Sequence, residues 1–468
     1  MADAIDPRWA WEPYRSSAQA PWDIQKVGHL YRRASFGATW PELEAGLQAG
    51  PEKTIDLLLK GSAPRPDFEE QTAEMARSIT QANNGLLARA WWLYRMLLSP
   101  HPLREKLTVF WHNHFATSNA KVNNAGFMLG QYALMNRHAL GNFRTLLQEM
   151  SQDPAMMVWL DTSVSKKGMP NENYAREFME LFSLGIGNYT EKDIREAARA
   201  FTGWEIQQTK AVFNPAQHDD SDKAVLGEKG KWQGSDIVRI CLEQKSAPYF
   251  IVGKLYRFLI SETVAATPEL LEPLATQFRK SDYDFGALVE TMLRSNLFFS
   301  PVVYRTRVKA PVDFALGIVR SLEARTGTTA LAAALESLGQ SLFYPPSVKG
   351  WDGGHAWLNG QTLLFRQNLA LTLSSSEDKD ADDGVRRPAP FLLAKKYGKK
   401  TDAEAVDFFL RLFLQEDVSP EARGRLLQYQ EHARSQMVPV YWTEQDAAEH
   451  RVRALCHLVL TLPEYQLD

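Results

Sequence analysis

The sequence predicts a mainly α protein: a large multi-helical globular chain with a small β-hairpin insert and long irregular loops. Three observations predict it. Helix starts recur as a Thr answered three residues on by an acid, the reciprocal pair that satisfies two free backbone N–H groups, at Thr39/Glu42, Thr190/Asp193, Thr401/Glu404 and Thr443/Asp446. The alternating apolar and polar runs of a half-buried strand are nearly absent. The 468 residues are 44% hydrophobic and 23% charged, enough for a large core.

Apolar residues at helical spacing mark helices over 86–98, 103–115, 172–184, 193–201, 248–260, 285–293, 403–414 and 444–460. Ser419-Pro420 is a further start, because proline is preset for the first helical position. Between 205 and 235 the character changes to short β-like pieces around Phe213 and Val225 with turn residues elsewhere, which reads as a hairpin. "YPPSVKGWDGGHAWLNG", residues 344 to 360, holds two prolines and four glycines and reads as a long shaped loop. The chain thus divides into an N-terminal helical lobe (1–205), a hairpin insert (206–235), a second helical lobe (236–373), a mobile linker or surface loop (374–389) and a C-terminal helical segment (390–468), around one shared core.

Net charge is −3 with both signs interspersed, which gives no electrostatic footprint for nucleic acid. Only Cys241 and Cys456 are present, so neither a disulfide framework nor a cysteine-rich zinc site is available. No uncharged apolar run approaches the roughly 18 residues of a membrane span. The start "MADAIDPRWAWEPYRSSAQAPWD" shows no basic stretch followed by an apolar one. A cytoplasmic location is the expectation, with export expected if a natural leader is lacking from this sequence.

Four stretches could carry chemistry. In "FWHNHFATSNA", residues 110 to 120, helical geometry puts His114 on the stripe of Leu103, Leu107, Phe110 and Trp111. His112 then falls about 160° away, beside Glu105 and Thr108. Two such histidines cannot grip one ion; if the helix instead frays by Trp111, the two rings point to the same side and become a ligand pair. The helical reading places His112 in a site and His114 in the core. In "NENYAREFMELFSLGIGNYTE", residues 171 to 191, Glu172 and Glu177 sit at the edges of a polar arc, where a carboxylate can act as ligand or general base. "HDDSDK", residues 218 to 223, offers His218 and Asp219 as ligands for a divalent cation; acidic turns also form without any metal. In the glycine-aromatic loop, Lys349, Trp351, His355 and Trp357 form a candidate substrate surface, or the tryptophans plug the loop into the core. Arg32, Arg33, Lys309 and Arg366 could bind an anion, but isolated basic residues more often cap helices or pair with acids, and they stand outside the site.

Several long stretches together, "HLYRRASFGATWPELE", "LREKLTVFWHNHFATS", "DPAMMVWLD", "NENYAREFMELFSLGIGNYTEKDIREAARAFTGW", "PPSVKGWDGGHAWLN" and "LCHLVLTLPEYQL", resemble the bacterial domain-of-unknown-function 1800 family. The likeness runs in order from about residue 20 to the end. It implies a large, mainly helical protein, often exported and encoded beside a sulfatase-like protein, and brings no established activity.

The expectation for function is a metal-assisted or acid/base enzyme, a hydrolase by default. His112, Glu172 and Glu177 would be catalytic, and His112, His114, His218 and Asp219 would hold a divalent metal between the N-terminal lobe and the insert. A redox metal or haem protein suits the same aromatic-framed histidines. The alternative from another class is a non-catalytic scaffold with buried polar networks, acting with a sulfatase-like partner.

Overall fold

The structure, a computed structural model, describes residues 5–375 and 390–468. Helices dominate, and two small antiparallel two-stranded sheets are the β structure among the described residues. Each anticipated start is made by the hydrogen bonds that predict it: Thr39, Thr190, Thr401 and Thr443 close reciprocal caps with Glu42, Asp193, Glu404 and Asp446. Helices Gly85–Leu98, Pro102–His114, Ser246–Leu259, Phe285–Arg294, Asp402–Leu414 and Glu444–Leu460 follow the expected spans closely.

The differences are local. The insert is two hairpins instead of one: Trp204–Gln207 pairs with Lys210–Phe213, and Lys223–Val225 with Glu228–Gly230. The second turns through Leu226 and Gly227, both at positive φ, which suits the twist of a two-residue hairpin. The helix expected over 172–184 is α only for Glu172–Glu177 and becomes a π turn over Phe178–Ser183. Of the stretch expected to be a linker, Ser374 closes helix Gly360–Ser374, and 376–389 lie outside the described residues.

The lobes share a core. One cluster of buried side chains reaches from Ala10 to Tyr465 and draws on both lobes and the C-terminal helices. A second, around Trp92, Tyr132 and Phe343, joins the N-terminal helices to the foot of the glycine-aromatic loop.

Helix Pro102–His114 runs between these clusters and is buried on nearly every side, including Glu105, Thr108 and His112, which periodicity puts on a polar arc. The arc is polar because it is networked, not because it is wet. The Glu105 carboxylate accepts from Tyr132 Oη at 2.8 Å, Trp92 Nε1 at 3.2 Å and Arg95 Nε at 3.3 Å. The next residue, the buried Lys106, donates to Asp313 Oδ1 at 2.6 Å and to the carbonyl of Arg32 at 3.2 Å. Removing one member of such a pair leaves the other charge buried without it. Lys106→Met is therefore expected to cost about 3 kcal/mol in urea denaturation, and Lys106→Met with Asp313→Leu clearly less. Equal losses for the single and double variants would contradict this.

Candidate functional site

The three residues of "HNH" serve three different neighbours. The helix continues through His114, so the two rings diverge as helical geometry requires. His112 Nε2 accepts the backbone N–H of Phe343 at 3.1 Å, with its ring packed among Trp92, Phe343 and Trp351. Burial pushes its pKa down to about 3, which keeps the acceptor nitrogen free of a proton. Asn113 clamps the glycine-aromatic loop: its Oδ1 accepts from Trp351 N at 2.7 Å and its Nδ2 donates to Trp351 O at 3.3 Å. Gly350 is required beside it, because its φ is +79° and a Cβ there would lie 2.1 Å from Asn113 Oδ1. Asn113→Ala is expected to cost about 1–3 kcal/mol and to speed amide hydrogen exchange at Trp351; unchanged exchange there would show that the clamp does not hold the loop.

His114 looks the other way, toward the π turn. A π turn inserts a residue into the helical ladder and is frequent at functional sites. Here Ser183 Oγ donates to Phe178 O at 2.6 Å and Leu184 N to Met179 O at 3.0 Å. The last carbonyls of any helix lack partners in their own ladder, and two side chains take them. His114 Nε2 lies 3.1 Å from Phe182 O, and Lys254 Nζ donates to Leu181 O at 2.9 Å. A ring nitrogen facing a carbonyl must carry the proton, which leaves Nδ1 as acceptor. Lys254 Nζ sits 3.1 Å from that Nδ1 and 4.6 Å from the Phe250 ring centroid. Burial brings the Lys254 amine down to about 7. Burial, with the neighbouring Lys254, also holds His114 well below its ordinary value.

Lys254 and His114 line a cleft of about 290 Å³. Lys106, Arg257, Arg307 and Lys349 line it too, together with Glu262, Asp313 and Asp352, with Asn113 from helix Pro102–His114 and Trp351 and Trp357 from the loop it clamps. Behind it the interior is rich in positive charge. Arg32, Arg33, Lys106, Arg307, Lys309 and Arg366 are all buried, and the buried carboxylates among them are Asp313 and Asp468. Carbonyls satisfy many of the donors: Arg33 reaches Leu259 O and Val303 O at 3.2 Å, and Arg366 reaches Lys309 O at 2.6 Å. Such bonds stabilise the cations without cancelling their charge. The Asp468 carboxyl, which burial alone would push up, is held below its usual range by Lys106, Lys309, Arg307 and Arg33.

The residues singled out in the sequence fall on both sides of this boundary. Lys349, Trp351 and Trp357 line the cleft; His355 is exposed and does not. The tryptophans also pack on Val308, so plug and surface are one feature. Of the two histidines, His114 borders the cleft and His112 anchors the foot of the loop at Phe343. Glu172 pairs with Arg176 at 3.4 Å, and Arg176 with Glu191 at 2.8 Å. Glu177 does not line the cleft, although Lys349 opposes the upward push that burial and Glu180 exert on its carboxyl. His218 Nδ1 lies 2.9 Å from Thr202 O. Burial alone would raise the Asp219 carboxyl, but hydrogen bonds from Arg199, at 2.8 Å, and from Ser221 hold it low. Lys167 takes Asp220 at 2.6 Å. Among the described residues no three His, Cys, Asp or Glu side chains come together as a ligand set for a metal ion. His112, His114, His218 and Asp219 each answer to a different local partner, so they do not assemble the expected divalent-metal site.

Sequence reasoning passed over Lys254, Arg257, Arg307 and Lys106. A signal was present for the first: in "YFIVGKLYRFL" a lysine shares the helical face of Phe250, Ile251 and Phe258, where a charge needs a reason.

The sequence model of a family described as "Protein of unknown function (DUF1800)" matches residues 29–467. The chain belongs to this family. No curated protein and no solved structure matches it. The cleft therefore lies wholly within the DUF1800 region, and no helix among the described residues is long and apolar enough to cross a membrane.

A cation whose folded pKa is depressed is destabilising while the unfolded chain holds a proton that the folded chain sheds or strains to keep. For Lys254 the window runs from about 7 to its ordinary 10.5; through it the unfolded state binds more protons, so stability rises with pH. The stability of the wild type relative to Lys254→Met is expected to climb across this interval and flatten above it, in denaturant titrations at stepped pH. A difference independent of pH would refute the burial of the amine.

Proposed function

We propose that the cleft binds a small anionic molecule and carries out acid/base chemistry on it, with the Lys254 amine as the reacting base and His114 as its positioning residue. The observation that carries this is the placement of a near-neutral amine, held by His114 Nδ1 and Leu181 O, inside a cleft ringed by Arg257, Arg307, Lys349 and Lys106. A base is most useful when its pKa lies near the working pH, and burial sets that value here. Guanidinium and ammonium groups on the walls recognise carboxylate, phosphate or sulfate groups. The walls carry both signs, with Asp313 paired to Lys106, Glu262 3.8 Å from Arg307, and Asp352 also in the lining, which suits a ligand that joins an anionic end to a polar, uncharged body. This reading is an acid/base enzyme; the metal-assisted hydrolase and the haem reading find no support in how the histidines are bonded.

A partner-binding role, for which a sulfatase-like protein is the candidate that the resemblance suggests, is supported by a separate observation. Met437, Val438, Val440 and Tyr441 lie exposed between helices Pro420–Ser435 and Glu444–Leu460. The two roles use different surfaces and are compatible.

Inorganic sulfate tests the catalytic reading, because it does not titrate near neutrality. Calorimetry at pH 8 in buffers of different ionisation enthalpy should show saturable binding with uptake of protons, as the anion draws Lys254 into its charged form. Arg307→Met should weaken binding and Lys254→Met should abolish the uptake. Around the amine stand His114, which burial holds well below its ordinary value, and the cleft's Lys106, Arg257, Arg307, Lys349, Glu262, Asp313 and Asp352. Absence of saturable sulfate binding would end this proposal.

A further inference from the structure

Resting on the cleft reading above, the geometry points to Lys254 as a nucleophile that forms an imine with a small carbonyl compound carrying an anionic group. The argument begins with the hydrogen-bond capacity of the amine. A neutral primary amine has two N–H bonds and one lone pair. His114 Nδ1, at 3.1 Å, and Leu181 O, at 2.9 Å, are two acceptors for two protons. His114 can accept there because its other nitrogen is committed to Phe182 O at 3.1 Å. The Phe250 face, 4.6 Å from Nζ, covers a further side. With both N–H bonds taken, the lone pair is left for the cleft that Lys254 lines.

A base that only relays protons needs no such fixing of both N–H bonds, whereas an attacking nitrogen gains from it, because orientation of the reacting pair removes much of the barrier. Burial supports the same conclusion, since it favours the uncharged amine. The step balances without any further reagent. The nitrogen lone pair forms a bond to the carbonyl carbon as the C=O pair moves onto oxygen. Both nitrogen protons then leave with that oxygen as water, giving C=N. Protonation of the imine makes an iminium, for which Glu262, Asp313 and Asp352 are the carboxylates lining the cleft. The anionic end of the substrate has Arg307, Arg257 and Lys349 to meet it, and these same cations select against neutral carbonyls. A carboxylate next to the carbonyl, as in a 2-oxo acid, and a phosphate ester one or two carbons away present the same chemistry to these walls.

The test traps the C=N bond. Wild-type protein is incubated near neutral pH with sodium cyanoborohydride and either pyruvate or glycolaldehyde phosphate, with hydroxyacetone as the neutral control, and digested for mass spectrometry. The reduced adduct is expected on Lys254 ahead of the other lysines, with one or both anionic compounds. Sulfate should suppress it, hydroxyacetone should give little, and it should be lost in Lys254→Arg, whose fold is checked by circular dichroism. Modification by pyruvate alone would assign the 2-oxo acids, and by glycolaldehyde phosphate alone the phosphorylated carbonyls. Adducts spread over many lysines, or equal labelling by hydroxyacetone, would overturn the inference. Sulfate binding with proton uptake but no adduct on Lys254 would also overturn it, leaving the acid/base reading in place; loss of sulfate binding itself would remove both.

Discussion

Two backbone carbonyls, those of Leu181 and Phe182, hold the site together. They stand at the end of a helix whose last turn is widened to a π turn, so they are available to side chains from elsewhere. One takes the Lys254 amine and the other the His114 ring. The second contact decides the first, because a histidine that donates through Nε2 has only an acceptor to offer at Nδ1. A local irregularity of one helix thus sets the tautomer of a residue on a second and the orientation of an amine on a third. Had the 172–184 segment stayed α-helical to its end, its last carbonyls would project elsewhere around the axis.

The second constraint is electrostatic. The region around Asp313 and Asp468 buries more cations than carboxylates, a costly arrangement unless carbonyls, rings and partners offset it. The fold supplies all three: carbonyls for Arg33 and Arg366, the Tyr465 ring 3.5 Å from Lys309 Nζ, and Asp313 for Lys106. Lys106 and Arg307 belong both to this buried group and to the lining of the cleft. Cations clustered beside a cleft favour an oppositely charged ligand. The buried charges and the cleft are therefore parts of one arrangement.

How much of this could be read from the sequence follows from the range of each interaction. Helix starts at Thr39, Thr190, Thr401 and Thr443 were legible because a cap is made within four residues. The divergence of His112 and His114 was legible because helical geometry alone imposes it. Which ring faces the cleft was not: His112 sits on a polar arc, but Glu105 and Thr108 beside it are sealed by Trp92, Arg95, Tyr132 and Asn136, partners 10 or more residues away. The packing of the glycine-aromatic loop by its tryptophans was legible, and Asn113, which clamps them, was passed over as the spacer between two histidines. The acidic turn after His218 looked like a ligand cluster because Arg199 and Lys167, which neutralise it, come from other elements. Lys254 was hidden for the same reason, since the carbonyls that give it a role lie about seventy residues earlier in the chain.

The account turns on whether the Lys254 amine is uncharged near neutrality in the folded protein, and nuclear magnetic resonance can observe it directly. Protein carrying ¹³C at the lysine ε position should show one resonance that titrates near 7, the value burial gives Lys254, absent from the Lys254→Met spectrum. Lysine resonances that all shift together near the ordinary 10.5 would mean that the amine is solvated and charged, and would contradict the account.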